Sequence, residues 1–451
     1  MSSTQLTQLL FRLGQISLLE QIKGLSPSCC ARLEKELVSI DIQKLEQALR
    51  TLKDTQPPPL SYTPLKQYTG PTNGFDEGIQ TLKEGKVATV ILAGGQASRF
   101  KHKGAKATFP ISLIKQKSLL QLHLEKARAC MKAYKTMPHI AIMTSETTHE
   151  EIQSHLEKQH YFGLEKSRID LFQQPSMPLY SLAGDFIFNQ EGDLLTGPDG
   201  NGGCFWYLAS SDIIKKWKAA GIEYVSVILI DNPLIDPFSA QAIAEHKKNQ
   251  VEATAWGIFR ESTEEQVGVF VQKTGHIGVV EYSEMSTNDF YAVDQKGFLQ
   301  YPLANIGSYI FSLPFIETLV QKPQAQLLLH KAIKKTTDEQ LAFLHKQSSF
   351  EITKLEYFIF DVLDSATKAQ VFVEKRSDCF APLKTQESIP SVQKALLTRD
   401  CMQYERITGI PAPKERLFEL SLDFYYPSAE FLSRWKNKPL PNSAYIEDID
   451  S

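Results

Sequence analysis

The chain reads as an α/β protein with a doubly wound, mostly parallel sheet, a helical N-terminal region before it and a short C-terminal extension after it. Short β-branched apolar runs, helical patterns between them, and glycines or an aspartate directly after the runs point to this class. A strand covered on both faces is apolar throughout rather than alternating, and such strands separated by helices build parallel sheets.

The elements follow in order. Residues 4–54 carry apolar side chains at helical spacing: Leu6, Leu9, Leu10, Leu13 and Ile16, then Leu33, Leu37, Leu45 and Leu49. Ser26-Pro27 marks either a break between helices or a cap with its first turn. Gln56-Pro57-Pro58-Pro59 cannot continue a helix and reads as a linker. The helical region and its linker are therefore placed at 1–80. Val87 to Leu92 is a buried strand that runs into Gly94-Gly95. His139 to Met143 is a second strand and Tyr224 to Ile230 a third, with helical patterns at 118–134 and 149–159. Gln266 to Tyr282 and Tyr309 to Leu313 read as strands and hairpins, antiparallel additions to the sheet. The sheet domain is placed at 81–390. After Pro390 the chain is rich in charge and aromatics, and an irregular extension is expected at 391–451.

Composition narrows the function. The 451 residues are 42% hydrophobic and 22% charged, with a net charge of −3. That is ordinary globular composition, and it does not mark a nucleic-acid or membrane-surface binder. None of the six cysteines, Cys29, Cys30, Cys130, Cys204, Cys379 and Cys401, forms a C-x-x-C pair, so a thiolate zinc site is not expected. Scattered cysteines fit reduced thiols. The first residues are too polar for a signal peptide, and no apolar run reaches the roughly 20 residues of a membrane helix. A soluble, cytoplasmic protein is expected, as a monomer or weak oligomer.

Three constellations carry chemistry. The first is Leu92-Ala93-Gly94-Gly95-Gln96-Ala97-Ser98-Arg99, with Lys101, Lys103 and Lys106 downstream. Ligands of parallel α/β sheets sit at the carboxyl ends of strands, and paired glycines let backbone N–H groups approach a phosphate or base. The spacing is neither G-x-G-x-x-G nor G-x-x-x-x-G-K-[ST], which argues against a nicotinamide dehydrogenase and a P-loop ATPase. The plain alternative is a glycine turn beside a solvated basic loop. The second is Gly197-Pro198-Asp199-Gly200-Asn201-Gly202-Gly203, either a backbone-rich reader of a base or phosphate or a multi-turn surface loop. The third is Asp231 in Ile230-Asp231-Asn232-Pro233, directly after an apolar strand. A carboxylate there is a natural Mg²⁺ ligand, since Mg²⁺ takes one or two carboxylates plus phosphate oxygens; the alternative is a turn cap.

These parts suit nucleotidyl transfer, which needs no protein nucleophile. An anionic oxygen attacks the α-phosphorus of a nucleoside triphosphate and pyrophosphate leaves, so positive charge and positioning do most of the work. Arg99 and Lys106 would meet the triphosphate, Asp231 would hold Mg²⁺, and Lys384 would meet a sugar phosphate.

In their order the motifs resemble the UDP-N-acetylglucosamine pyrophosphorylase family, within the UDP-sugar pyrophosphorylase group of uridylyltransferases. The resemblance runs from about residue 12 to about 390. It is carried by Leu13-Gly14-Gln15, Met143-Thr144-Ser145-Glu146, His160-Tyr161-Phe162-Gly163-Leu164, Phe172-Gln173-Gln174 and Pro198 to Gly203. Val280 to Glu284, Asn305, Phe358-Ile359-Phe360-Asp361 and Pro382-Leu383-Lys384 complete it. The resemblance implies the Rossmann-like fold of nucleotide-diphospho-sugar transferases. It implies UTP and N-acetylglucosamine 1-phosphate as substrates and Mg²⁺ as cofactor. It also implies residue roles. Gly94 and Gly95 would contact the nucleotide, Arg99 and Lys106 its phosphates, and Gln174 and Gly200 the uracil. Asp231 would bind Mg²⁺, Gly268, Glu281 and Asn305 the amino sugar, and Lys384 the sugar phosphate.

The chain departs from the family pattern at Ala97-Ser98, where Gly-Thr is usual, at Lys101, where Gly is usual, and at Ala105, where Pro precedes the lysine. Ser308 stands where the family has Asn. Two alternatives remain open: the same reaction with glucose 1-phosphate or a broad range of sugars, and a non-catalytic UDP-sugar-binding protein.

Overall fold

The computed structural model describes residues 2–19, 26–53, 61–72, 74–97, 100, 102, 104–188, 193–336 and 350–448. The expected Pro57–Pro59 linker lies outside them. Contacts divide the chain into two units. One comprises Met1–Leu60, Gln174–Trp206 and Lys322–Val362; the other comprises Ser61–Gln173, Tyr207–Gln321 and Leu363–Ser451. Both units are discontinuous, which a linear division at 80 and 390 does not express.

In the first unit the leucine pattern forms helices Ser2–Arg12, Pro27–Ser39 and Ile42–Lys53. Ser26 is a cap: its hydroxyl accepts from the Cys29 N–H at 3.3 Å, and Pro27 takes the first turn, where its missing N–H costs nothing. Helix Ile42–Lys53 buries Leu45, Ala48 and Leu49. Its Gln47 amide donates to Leu327 O at 2.7 Å and accepts from the Tyr357 hydroxyl at 2.7 Å. Tyr357 ends an antiparallel pair of strands, Leu329–Thr336 and Phe350–Tyr357, with Tyr180–Ser181 added at the edge.

The second unit is built on a ten-stranded sheet. Its strands are β1 (Tyr62–Pro64), β2 (Val87–Leu92), β3 (His139–Thr144), β4 (Ile169–Gln173) and β5 (Tyr224–Leu229). They continue with β6 (Ala253–Phe259), β7 (Val269–Lys273), β8 (His276–Val280), β9 (Leu303–Ser312) and β10 (Ala369–Val373). The parallel run is β4-β3-β2-β5, with Val90 opposite Ala141 on one side and Val227 on the other. Every residue of β2 and β3 is buried, as expected of strands covered on both faces. Beyond β5 the sheet turns antiparallel through β9, which pairs with β5, β6 and β7; β7 and β8 form the expected hairpin. Helices Leu119–Tyr134 and His149–Lys158 lie where the periodicity places them.

Two expectations need correction. The strand expected at Tyr309–Leu313 begins at Leu303 and ends at Ser312, and Leu313 opens a helix with Pro314 in its first turn. The glycine at 307 and the bulge between Asn305 and Tyr309 broke the strand pattern in the sequence. The segment after Pro390 is not irregular. It starts as a 20-residue helix, Ile389–Thr408, ended by Gly409 in the left-handed region. A second core of Tyr404, Ile407, Phe418, Leu420, Phe424, Phe431, Trp435 and Ile446 follows.

Candidate active site

The glycine loop leaves the carboxyl end of β2 in the second unit. Ala93 N–H donates to Met143 O at 2.8 Å, and the Ser145 hydroxyl donates to Gly94 O at 2.9 Å, so the end of β3 fixes the start of the loop. The loop closes on itself: Lys106 N–H donates to Gly95 O at 3.0 Å, and Ala97 N–H to Gly104 O at 2.9 Å. Arg99, Lys101 and Lys103 lie outside the described residues. The closure delivers Lys106 to Asp231, with Nζ 3.5 Å from Oδ2 and 3.4 Å from Leu383 O. Both side chains are mostly buried, at 17% and 16% exposure, which strengthens their attraction relative to a surface pair.

Asp231 stands just past β5. Its Oδ1 is buried and has no hydrogen-bond partner among the described residues. A buried carboxylate oxygen without a donor is costly, and a hard cation would satisfy it. Among the described residues no cluster of three or more His, Cys, Asp or Glu could hold a metal. The loop around Asp231 is fastened on two sides. From helix Leu119–Tyr134, His123 Nε2–H donates to Ile230 O at 3.3 Å, and Lys126 Nζ donates to Pro233 O and Ile235 O at 2.6 Å each. Burial pushes the Lys126 amine down to about 7 and holds His123 well below the usual imidazole range. A neutral amine still has two N–H groups for its two carbonyls. From the other side, the Asn232 side chain donates to Cys379 O at 2.8 Å and accepts from Ala381 N–H at 3.0 Å. Leu383 N–H donates to Asp231 O at 2.8 Å, which sets Lys384, itself exposed, next along the chain.

Gly268, Glu281 and Asn305 come together in the same unit. Asn305 N–H donates to Gly268 O at 2.8 Å, and a Cβ on Gly268 would lie 3.0 Å from Glu281 Oε1. The Asn305 side chain is oriented by the Tyr309 hydroxyl at 2.9 Å and accepts from Gly307 N–H at 3.1 Å. β9 runs antiparallel to β5 with Tyr309 opposite Val227, so Asn305 lies toward the carboxyl end of β5, where Asp231 follows. Ser308 is fully buried and its Oγ has no partner among the described residues.

Gln174 and Gly200 belong to the first unit. Gln174 is buried. Gly200, at φ +93°, packs on the strand ending at Tyr357: a Cβ there would lie 2.2 Å from Tyr357 O. Gly202 N–H donates to Tyr357 O at 2.9 Å, and Asn201 Oδ1 accepts from Ile359 N–H at 2.9 Å. Close packing on that strand therefore accounts for these glycines before any ligand is considered.

Sequence reasoning missed Lys126, Asn232 and Glu151. Lys126 had a readable signal: it sits on the buried stripe of its helix with Leu119, Leu122 and Cys130. A lysine on an apolar face announces buried acceptors. Asn232 and Glu151 act on backbone groups far away in sequence and carried no such signal.

A parallel α/β sheet that gathers a glycine loop, a lysine and a lone carboxylate at its strand ends is of the nucleotidyltransferase type. The profile of the UTP–glucose-1-phosphate uridylyltransferase family matches residues 44–444, and the chain belongs to that family. It is 32% identical over 321 residues to UDP-N-acetylglucosamine diphosphorylase 2 of Arabidopsis thaliana, covering 68% of this chain and 62% of the relative. It is 30% identical over 388 residues to UDP-N-acetylhexosamine pyrophosphorylase-like protein 1 of Xenopus tropicalis, covering 82% and 75%. The structure of uridine diphosphate N-acetylglucosamine pyrophosphorylase from Trypanosoma brucei, in complex with inhibitor, is 22% identical, covers 100% of this chain and 99% of its own, and superposes with a TM-score of 0.78. That last likeness concerns the fold.

Proposed function

We propose that the chain joins UTP and N-acetylglucosamine 1-phosphate into UDP-N-acetylglucosamine and releases pyrophosphate. The observation that carries the reading is the Lys106–Asp231 pair at 3.5 Å, Lys106 on the loop that follows β2 and Asp231 just past the parallel neighbour β5, with one Asp231 oxygen buried and without a partner among the described residues. Lys106 neutralises phosphate charge as the α-phosphorus is attacked. Asp231 and phosphate oxygens would hold Mg²⁺, which when bound supplies charge neutralisation across the reacting phosphates. Lys384, set by the Asp231–Leu383 hydrogen bond, meets the sugar phosphate. Gly268, Glu281 and Asn305 form the sugar contact, Gly94 and Gly95 the phosphate contact, and Gln174 and Gly200 the uracil contact, with Arg99 also on the triphosphate. The names of the relatives support the amino sugar. None of the described helices is long and apolar enough to cross a membrane.

The family description supports a second reading, glucose 1-phosphate as the preferred acceptor. Steady-state kinetics with UTP and each sugar 1-phosphate separate the two. The proposal expects the higher kcat/KM with N-acetylglucosamine 1-phosphate; a higher value with glucose 1-phosphate decides for the second reading.

A further inference from the structure

We infer that Glu151 is a positioning residue for the triphosphate loop: its carboxylate clamps the backbone that delivers Lys106. The inference rests on the proposed uridylyl transfer for its kinetic consequences and on geometry for its existence. Glu151 lies in the first turn of helix His149–Lys158, which follows β3 and is remote in sequence from the loop. Its Oε2 accepts from Ala105 N–H at 2.7 Å, and its Oε1 accepts from the Thr108 hydroxyl at 2.5 Å. One carboxylate thus spans Lys106, gripping the residue before it and the residue two after it. Charge-assisted bonds of this kind are about twice as strong as neutral ones.

The loop is shaped to admit the clamp. Gly104 sits at φ +145°, and a Cβ there would fall 2.6 Å from the Glu151 carboxylate. Any other residue would displace the carboxylate or leave that conformation. The clamp also acts where the loop closes. Gln96 and Ala105 form an antiparallel bridge, Lys106 N–H donates to Gly95 O, and Ala97 N–H donates to Gly104 O. Ala105 N–H points outward from that bridge to Glu151. A proline at 105 would lack this N–H and would be stiff by itself. An alanine is not, and its backbone is held from outside. The clamp fixes the backbone from which the Lys106 side chain starts, so only the side-chain torsions remain to be ordered when the ammonium meets a phosphate.

Four variants of the 451-residue chain test this: Glu151→Ala, Glu151→Gln, Ala105→Pro, and Ala105→Pro with Glu151→Ala. Pyrophosphate release is measured against UTP and against N-acetylglucosamine 1-phosphate. Glu151→Ala is expected to lower kcat/KM for UTP by about 10-fold or more while the KM for the sugar phosphate stays within about 2-fold. Glu151→Gln keeps an acceptor for Ala105 N–H and recovers most of the loss. In the double variant the second change costs less than it does alone, because proline has already removed one of the two donors. Independent losses in the double variant, or equal changes in both KM values, would overturn the inference. If Glu151→Ala alone does not fold, Ala105→Pro compared with the double variant, where proline stiffens the backbone, decides: a fall in kcat/KM for UTP of about 10-fold or more on removing Glu151 in that background would overturn the inference, and a smaller fall supports it. If the wild-type protein turns over no sugar phosphate, the proposed function fails, and calorimetry of UTP binding decides for the clamp. Weaker binding in Glu151→Ala and near-wild-type binding in Glu151→Gln support it; unchanged binding in both overturns it.

Discussion

Lys106 and Asp231 form a pair of opposite charges at a strand end, mostly withdrawn from water, with one carboxylate oxygen left over. If the pair serves a triphosphate and a cation, each half fails differently. Lys106→Ala removes positive charge from the transition state and is expected to cost about 10²-fold in kcat/KM for UTP. Asp231→Asn keeps the shape but loses the charge, so the Mg²⁺ concentration giving half-maximal rate should rise about 10-fold or more, at least the effect of losing an outer-shell partner of a metal ligand. A Mg²⁺ titration curve that does not move in Asp231→Asn would remove Asp231 from the metal site. Asp231 was legible because it directly follows an apolar strand. Glu151 was not, because nothing in His149-Glu150-Glu151 distinguishes one surface glutamate from its neighbour until the helix is placed beside the loop.

At the scale of the element, the strands and helices of the parallel run were legible because each carries its own period. β2, β3 and β5 are continuous apolar runs, and Ser118 caps the helix after the glycine loop by accepting from Gln121 N–H at 3.1 Å. β9 reads short in the sequence because its bulge places Asn305 and Gly307 out of the alternation. β10 falls where the sequence shows no strand pattern of its own, and a half-buried acid follows it. Glu374 accepts from the Trp256 indole N–H at 2.7 Å, and burial pushes its carboxyl up to about 7 from 4.5. A carboxyl raised on folding stabilises below the unfolded value, and that contribution is lost as pH climbs from about 4.5 through about 7. Glu374→Gln keeps an acceptor for Trp256 and cannot ionise. Its Tm should therefore exceed that of the wild type at pH 8 and lose that advantage at pH 5. Parallel Tm curves for the two proteins across this range would show that Glu374 is not held protonated.

At the scale of the molecule, the sequence announced the sheet but not how the chain is shared out. The first unit is assembled from three stretches separated by more than a hundred residues each. The pairing of Asp199 and Gly202 with Tyr357 has no local pattern to betray it. The C-terminal segment looked irregular because its apolar residues are aromatic and widely spaced. They nonetheless form a core in which Trp435 is fully buried, with Phe424 at 4.7 Å and Phe431 at 6.0 Å between ring centroids. Trp435→Ala should cost roughly 3–5 kcal/mol of stability, read as a lower denaturant midpoint. A midpoint within error of the wild type would mean that this core contributes nothing to folding.

The proposed reaction is measured directly as pyrophosphate release by the purified chain given UTP, Mg²⁺ and N-acetylglucosamine 1-phosphate. One pyrophosphate is expected for each UDP-N-acetylglucosamine formed, with release depending on the sugar phosphate. No release with this or any other sugar 1-phosphate would contradict it.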